Sequence, residues 1–160
     1  MYNFRQEQRV GINREELWKF FCDPNNLQKI MPPEMEIQMI GVMDQHIHAG
    51  QIIEYQVKVP LLGRKKWVSE IKAVEDGFCF TDVQKVGPYK YWEHKHIFQE
   101  EGEGALLIDE IQYDLPLGIM GFLGNMWLVN RTLKKIFKYR AFAVGKIWGL
   151  GVATGMGRNE

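Results

Sequence analysis

The 160-residue chain predicts an α+β domain: a seven-stranded antiparallel curved sheet wrapped around one long C-terminal helix, with two short helices after the first strand. Three observations carry that expectation. The hydrophobic period is two from Met35 to about Tyr113, broken only by short turn-rich connectors. A helix-start signal follows the first strand. The period then switches to 3.6 after Asp114-Leu115-Pro116.

Tyr2 to Val10 alternates in part and reads as the first strand. Asn13 is a good N-cap with Glu16 three residues on, and Leu17, Phe20 and Phe21 form an apolar stripe at helical spacing. Asp23-Pro24 starts a second short helix, with Leu27 and Ile30 facing inward, and Pro32-Pro33 stops it. Six strands follow: Met35–Val42, Gln51–Val59, Lys66–Val74, Gly77–Val83, Tyr91–Gln99 and Ala105–Tyr113. Their connectors are too short for parallel crossovers, so neighbours pair antiparallel. In the last helix Phe122, Met126, Val129, Leu133, Ile136 and Phe137 line one side, with Arg131, Lys134, Lys135 and Lys138 on the other. One helix does not fill the concave face of seven strands, so the topology leaves a cavity between helix and sheet.

Composition narrows the class. The hydrophobic fraction is 46%, the aromatic fraction 12%, and 20 basic residues balance 20 acidic ones, which gives no electrostatic push toward nucleic acid. Residues 1–148 read as a single ligand-binding domain and the glycine-spaced segment 149–160 as a flexible tail. Cys22 and Cys79 sit among apolar neighbours and suggest a reducing compartment. The start MYNFRQEQRV has no apolar region, and Leu115–Val129 is too short and too broken to span a bilayer, which needs about 20 apolar residues. A soluble, cytoplasmic protein is expected. Between Asp114 and Glu160 every charged residue is basic, which marks either a solvated helix face or a weak contact with a membrane surface.

The candidate site lies on three strands. Alternate residues share a face, so Trp92, His94, His96 and Phe98 point together. Leu107, Asp109, Ile111 and Tyr113 form a second set, and Phe78, Phe80, Asp82 and Gln84 a third. Their aromatic content puts all three sets on the concave side. Buried carboxylates need partners, and histidine is the obvious one. His94 or His96 therefore meets Asp109 or Asp82 either as a structural network or as a polar head-group site in the cavity. Phe80, Trp92, Phe98, Tyr113, Phe122, Met126, Val129 and Leu133 would supply apolar contact; Asp82, Gln84, His94, His96 and Asp109 would orient a polar end. All four histidines fall in His-x-His pairs, His46/His48 and His94/His96, which alone is too weak a signal to assign a metal. Arg140, near the inner stripe, is within reach of an acidic group on the sheet or a ligand carboxylate, with a salt bridge at the sheet edge the favoured reading. No nucleophile elbow, phosphate loop or dinucleotide fingerprint is present, so no cofactor and no catalytic residue is assigned.

The element order is similar to the helix-grip superfamily, which includes START lipid-transfer domains, pollen-allergen-type carriers and polyketide cyclases. FTDVQ at Phe80–Gln84, GPYKYWEHKHIF at Gly87–Phe98, DEIQYDLP at Asp109–Pro116 and FKYR at Phe137–Arg140 resemble a bacterial subfamily of START-like (SRPBCC) proteins. That resemblance implies a fold and a ligand cavity, not a reaction. Three functions stay open. One is binding or transport of a small hydrophobic or amphipathic molecule. The second is a cyclase- or hydratase-like enzyme using a His–Asp pair, and the third is docking on a partner or anionic membrane through the basic helix.

Overall fold

The computed structural model describes residues 1–41, 44, 46–59, 62–116 and 126–149, except the side chains of 126–128. The chain runs β1 (Tyr2–Val10), α1 (Arg14–Phe21), α2 (Leu27–Ile30), β2 (Gln38–Ile40), β3 (Ile52–Val59) and β4 (Gly63–Glu75). It continues through β5 (Cys79–Val86), β6 (Tyr91–Glu101), β7 (Gly104–Asp114) and α3 (Met126–Trp148). The strands form one seven-stranded antiparallel sheet in the order β1-β7-β6-β5-β4-β3-β2. This is the fold class that the periodicity predicts.

Local chemistry explains the boundaries. Asn13 accepts the Glu16 amide at 2.9 Å and donates to the Glu16 carboxylate at 3.1 Å, a reciprocal cap that starts α1. Asp23 caps the short turn that Pro24 opens. The second strand is shorter than the predicted Met35–Val42. Met35 closes a helical turn begun at Pro33, and Glu36 adopts a left-handed φ of 43° that interrupts extension. Phe78 is likewise outside β5, in the turn from β4, half exposed beneath the Arg14 guanidinium. Cys79 is partly exposed rather than buried, while Cys22 is buried, and both thiols are free.

α3 is tied to the far edge of the sheet by polar side chains. Gln6 and Gln8 of β1 donate to the Phe137 and Ala141 carbonyls at 3.2 and 2.8 Å. Its outer face carries exposed Lys134, Lys135 and Lys138, of which Lys135 pairs with Glu34 at 2.9 Å. Among the described residues no helix is long and apolar enough to cross a membrane.

The core is two apolar clusters. One, under α1 and the C-terminal half of α3, contains Leu17, Trp18, Phe80, Phe98, Leu107 and Val144. The other, under the start of α3, contains Trp92, Ile111, Tyr113, Leu133 and Phe137. On β6, β7 and α3 alike, the residues between the clusters are charged or polar: His94 and His96, Asp109, and Arg140. All four are buried. A polar layer thus crosses the interior from sheet to helix.

Replacing Gln8 by Met keeps the length of this side chain but removes its bond to α3. The expected loss is about 1 kcal/mol, read as a lower urea midpoint with an unchanged slope.

Candidate functional site: a charged layer beside an apolar cavity

Strand register builds the layer. Asp82 on β5 stands opposite His94 on β6, and His96 stands between Phe80 on β5 and Asp109 on β7. The two imidazoles are close neighbours, tilted by 40° with ring centroids 3.8 Å apart, and Phe80 stacks on His96 at 4.3 Å.

Asp109 is the hub. Its Oδ1 lies 2.9 Å from His94 Nε2, 2.8 Å from His96 Nδ1 and 3.3 Å from the Arg140 guanidinium. The His94 contact is an aligned hydrogen bond, whereas His96 Nδ1 approaches at an angle and makes a charge contact. Arg140 also covers the face of Phe137, at 4.9 Å. It sits in the middle of the domain, not at a sheet edge as the sequence suggests. Position 140 falls one helical turn beyond Phe137, on the same inward face.

Asp82 is the second carboxylate. Its Oδ2 is 3.8 Å from His94 Nδ1 and 3.6 Å from His96 Nε2. Its Oδ1 accepts from Ser69 at 3.3 Å, and Ser69 also meets the Tyr55 hydroxyl at 3.1 Å and accepts from Trp67 Nε1 at 3.0 Å. One donor atom each from Asp82, His94 and His96 lies within 4.8 Å of the other two, so these three residues could hold a metal ion.

The charges sort themselves. Burial, then the neighbouring His96, pushes His94 down to about 4, so it is neutral at pH 7. Burial opposes charge on His96 too, but its contacts with Asp109 and Asp82 outweigh this and raise it. Burial alone would raise both carboxyls; the histidines hold Asp82 below its usual range, and the histidines with Arg140 hold Asp109 far below.

One wall of a cavity of about 190 Å³ is formed by this layer. The remaining lining is mostly apolar and comes from several directions. Ile30, Met31 and Met35 close the side near α2; Ile53, Tyr55 and Trp67 come from β3 and β4; Leu133, Ile136 and Phe137 come from α3.

Of the sequence-predicted site residues, Phe80, Asp82, Trp92, His94, His96 and Leu133 line the cavity. Five others do not. Asp109 stands behind the histidines, and Phe98 is sealed against Trp18 at 5.3 Å. Tyr113 and Val129 pack in the second cluster. Gln84 bonds the backbone of Tyr89 through both ends of its amide, at 2.8 and 3.3 Å, and so clamps the β5–β6 turn. Phe122 and the Met126 side chain lie outside the described residues. His46 and His48 are exposed in the β2–β3 connection. Tyr55, Trp67 and Ser69 were missed, although Tyr55 alternates with Ile53 and Val57, a signal that was legible.

No family model and no curated protein matches the sequence. Solved structures do. TTHA0849 from Thermus thermophilus is 15% identical, with a TM-score of 0.65 over 90% of this chain and 94% of that one. A point mutant of norcoclaurine synthase from Thalictrum, in complex with a transition-state analogue, is 14% identical, with a TM-score of 0.63 over 91% and 92%. The di-domain aromatase/cyclase StfQ of the steffimycin pathway is 11% identical, with a TM-score of 0.68 over 89% of this chain and 48% of that one. Identities this low speak for fold alone. The chain has the helix-grip fold.

The layer's chemistry can be tested by substitution and by pH. Asp109→Asn strands a buried guanidinium and should cost about 3–5 kcal/mol. Replacing Asp109 by Leu together with Arg140 by Met should recover part of that loss, a positive coupling visible in equilibrium unfolding. In metal-free protein, acidification removes stability in a defined window. His94 is held below its ordinary 6.5, so its contribution is present above 6.5 and is lost as pH falls toward about 4. His96 is raised, so its contribution is present below 6.5 and is lost as pH rises through its folded value. The lowered Asp82 and Asp109 lose theirs only at still lower pH. Imidazole resonances should show one buried ring titrating above 6.5 and its neighbour near 4.

Proposed function

We propose that the protein binds one small, mainly apolar molecule in the cavity between α3 and the sheet, with its polar end against the charged layer. The carrying observation is the cavity itself: apolar on most sides, with Asp82, Ser69, His94, His96 and Arg140 grouped on one wall. Such a pairing of apolar volume with a few convergent polar groups is the usual form of a small-molecule site. The size limits the ligand. An apolar cavity of about 150 Å³ accepts benzene, so about 190 Å³ suits a body of one or two rings or a short chain. Two of the similar structures, a cyclase and a synthase with a bound analogue, are consistent with a ligand in this interior.

A second reading is favoured by one observation. Two closely apposed imidazoles on the cavity wall have their proton affinities pushed in opposite directions, so that one ring holds a proton more readily than its neighbour, as an acid–base pair requires. A cyclase- or hydratase-like reaction on the bound molecule would use that pair. Turnover that is lost in His94→Gln and His96→Gln while ligand binding persists would establish it.

The binding reading is tested with an environment-sensitive naphthalene dye and a filled cavity. Ile136, partly buried on α3, lines the space. Wild type should take up one dye per chain, and Ile136→Trp should abolish uptake while keeping the wild-type circular dichroism. Uptake unchanged by Ile136→Trp would place the dye elsewhere and contradict the reading.

A further inference from the structure

Three ligand-type atoms converge at the cavity wall: His94 Nδ1, His96 Nε2 and Asp82 Oδ2. His94 gives its Nε2 proton to Asp109, which leaves Nδ1 as a bare lone pair facing Asp82 Oδ2 at 3.8 Å. His96 Nε2 lies 3.6 Å from the same Asp82 oxygen. Both separations exceed a hydrogen bond. A cation between the carboxylate and the two ring nitrogens, either a proton on His96 or a metal ion in its place, satisfies the group.

The outer partners have the form that metal sites require. Ligating imidazoles donate their other nitrogen to a carboxylate, which fixes tautomer and ring orientation. Here Asp109 accepts from His94, stands 2.8 Å from His96 Nδ1 as a charge contact, and is itself anchored by Arg140. Asp82 is held from its far oxygen by Ser69, which leaves Oδ2 toward the histidines. Two imidazoles and one carboxylate are a zinc- or ferrous-iron-type donor set with positions left open.

We propose that Asp82, His94 and His96 bind one divalent transition-metal ion, with Asp109 and Arg140 as outer supports and the open coordination position facing the cavity. Asp82 Oδ2 stands 3.8 and 3.6 Å from the two ring nitrogens. That is near the edge of about 3.4 Å that a tetrahedral site with bonds of about 2.0–2.2 Å requires. All three donors lie within 4.8 Å of one another, so side-chain adjustment would draw them onto a common ion. This rests on the cavity described above only for its open position: a ligand entering there would coordinate through an oxygen donor such as a carboxylate or enolate.

The test uses the full chain, stripped with a chelator and titrated with Co²⁺ alone. One equivalent should bind, with the visible bands of a four- or five-coordinate ion. Asp82→Asn should weaken binding by at least about 100-fold, since outer partners alone are worth about 10–100-fold. His46→Ala with His48→Ala should leave it unchanged. If Asp82→Asn does not fold, Cu²⁺ on the wild type decides, because nitrogen hyperfine coupling should report two imidazoles. No bound Co²⁺, or binding that survives Asp82→Asn and disappears with His46 and His48, overturns the proposal. Dye uptake by the stripped protein is a separate readout, so loss of the metal site would leave the cavity reading standing.

Discussion

Asp109 is the residue on which the interior depends. A single buried oxygen gathers His94 and His96 from the sheet and Arg140 from α3. A carboxylate in an apolar core is tolerated only when paired, and a guanidinium likewise. Each therefore holds the other in place, and α3 can neither slide along the sheet nor rotate without separating them. Gln6 and Gln8 add neutral bonds from β1 to the same helix. The helix is thus registered by polar contacts, while the apolar clusters on either side supply the bulk of the burial.

That registration bears on the cavity. Side chains in a fluid, wholly apolar interface would close over a void, because unfilled space forfeits dispersion contacts. Here a charged layer sits on one flank and an aromatic wall on the other, with Trp67 perpendicular to Trp92 at 5.4 Å and nearly parallel to Tyr55 at 6.3 Å. Neither can collapse inward cheaply. The space that remains adjoins the polar groups. Ligand recognition, proton transfer and metal binding would all draw on the same few atoms, so stability and function compete at this layer.

The sheet, its antiparallel order and the two helix starts were legible because each follows from short-range chemistry. Examples are the Asn13–Glu16 cap, the strand period of two, and the switch to 3.6 before α3. Strand parity also placed Asp82, His94, His96 and Asp109 on one side. What parity does not encode is depth. Phe98 and Tyr113 share that face with His94 and His96 yet lie in the packed clusters. Gln84 shares the face of Asp82, but it stands near a strand end, where the β5–β6 turn recruits its amide. Shifts of register between β4 and β5 add to this, since a bulge changes which residues stand opposite without altering the pattern of types. Arg140 was misplaced for a related reason. A charged residue on an inward helical face reads as peripheral until its partner, 31 positions earlier in the chain, is known.

The central claim is that the space beside the charged layer holds a small molecule. Native mass spectrometry of the protein purified from its own host, followed by solvent extraction, tests it most directly. The account predicts a stoichiometric adduct: a compact apolar body of one or two rings or a short chain, with an oxygen-bearing polar end. A bare chain that also fails to take up any apolar probe would show a closed interior, and the His–Asp–Arg layer would then be structural reinforcement alone.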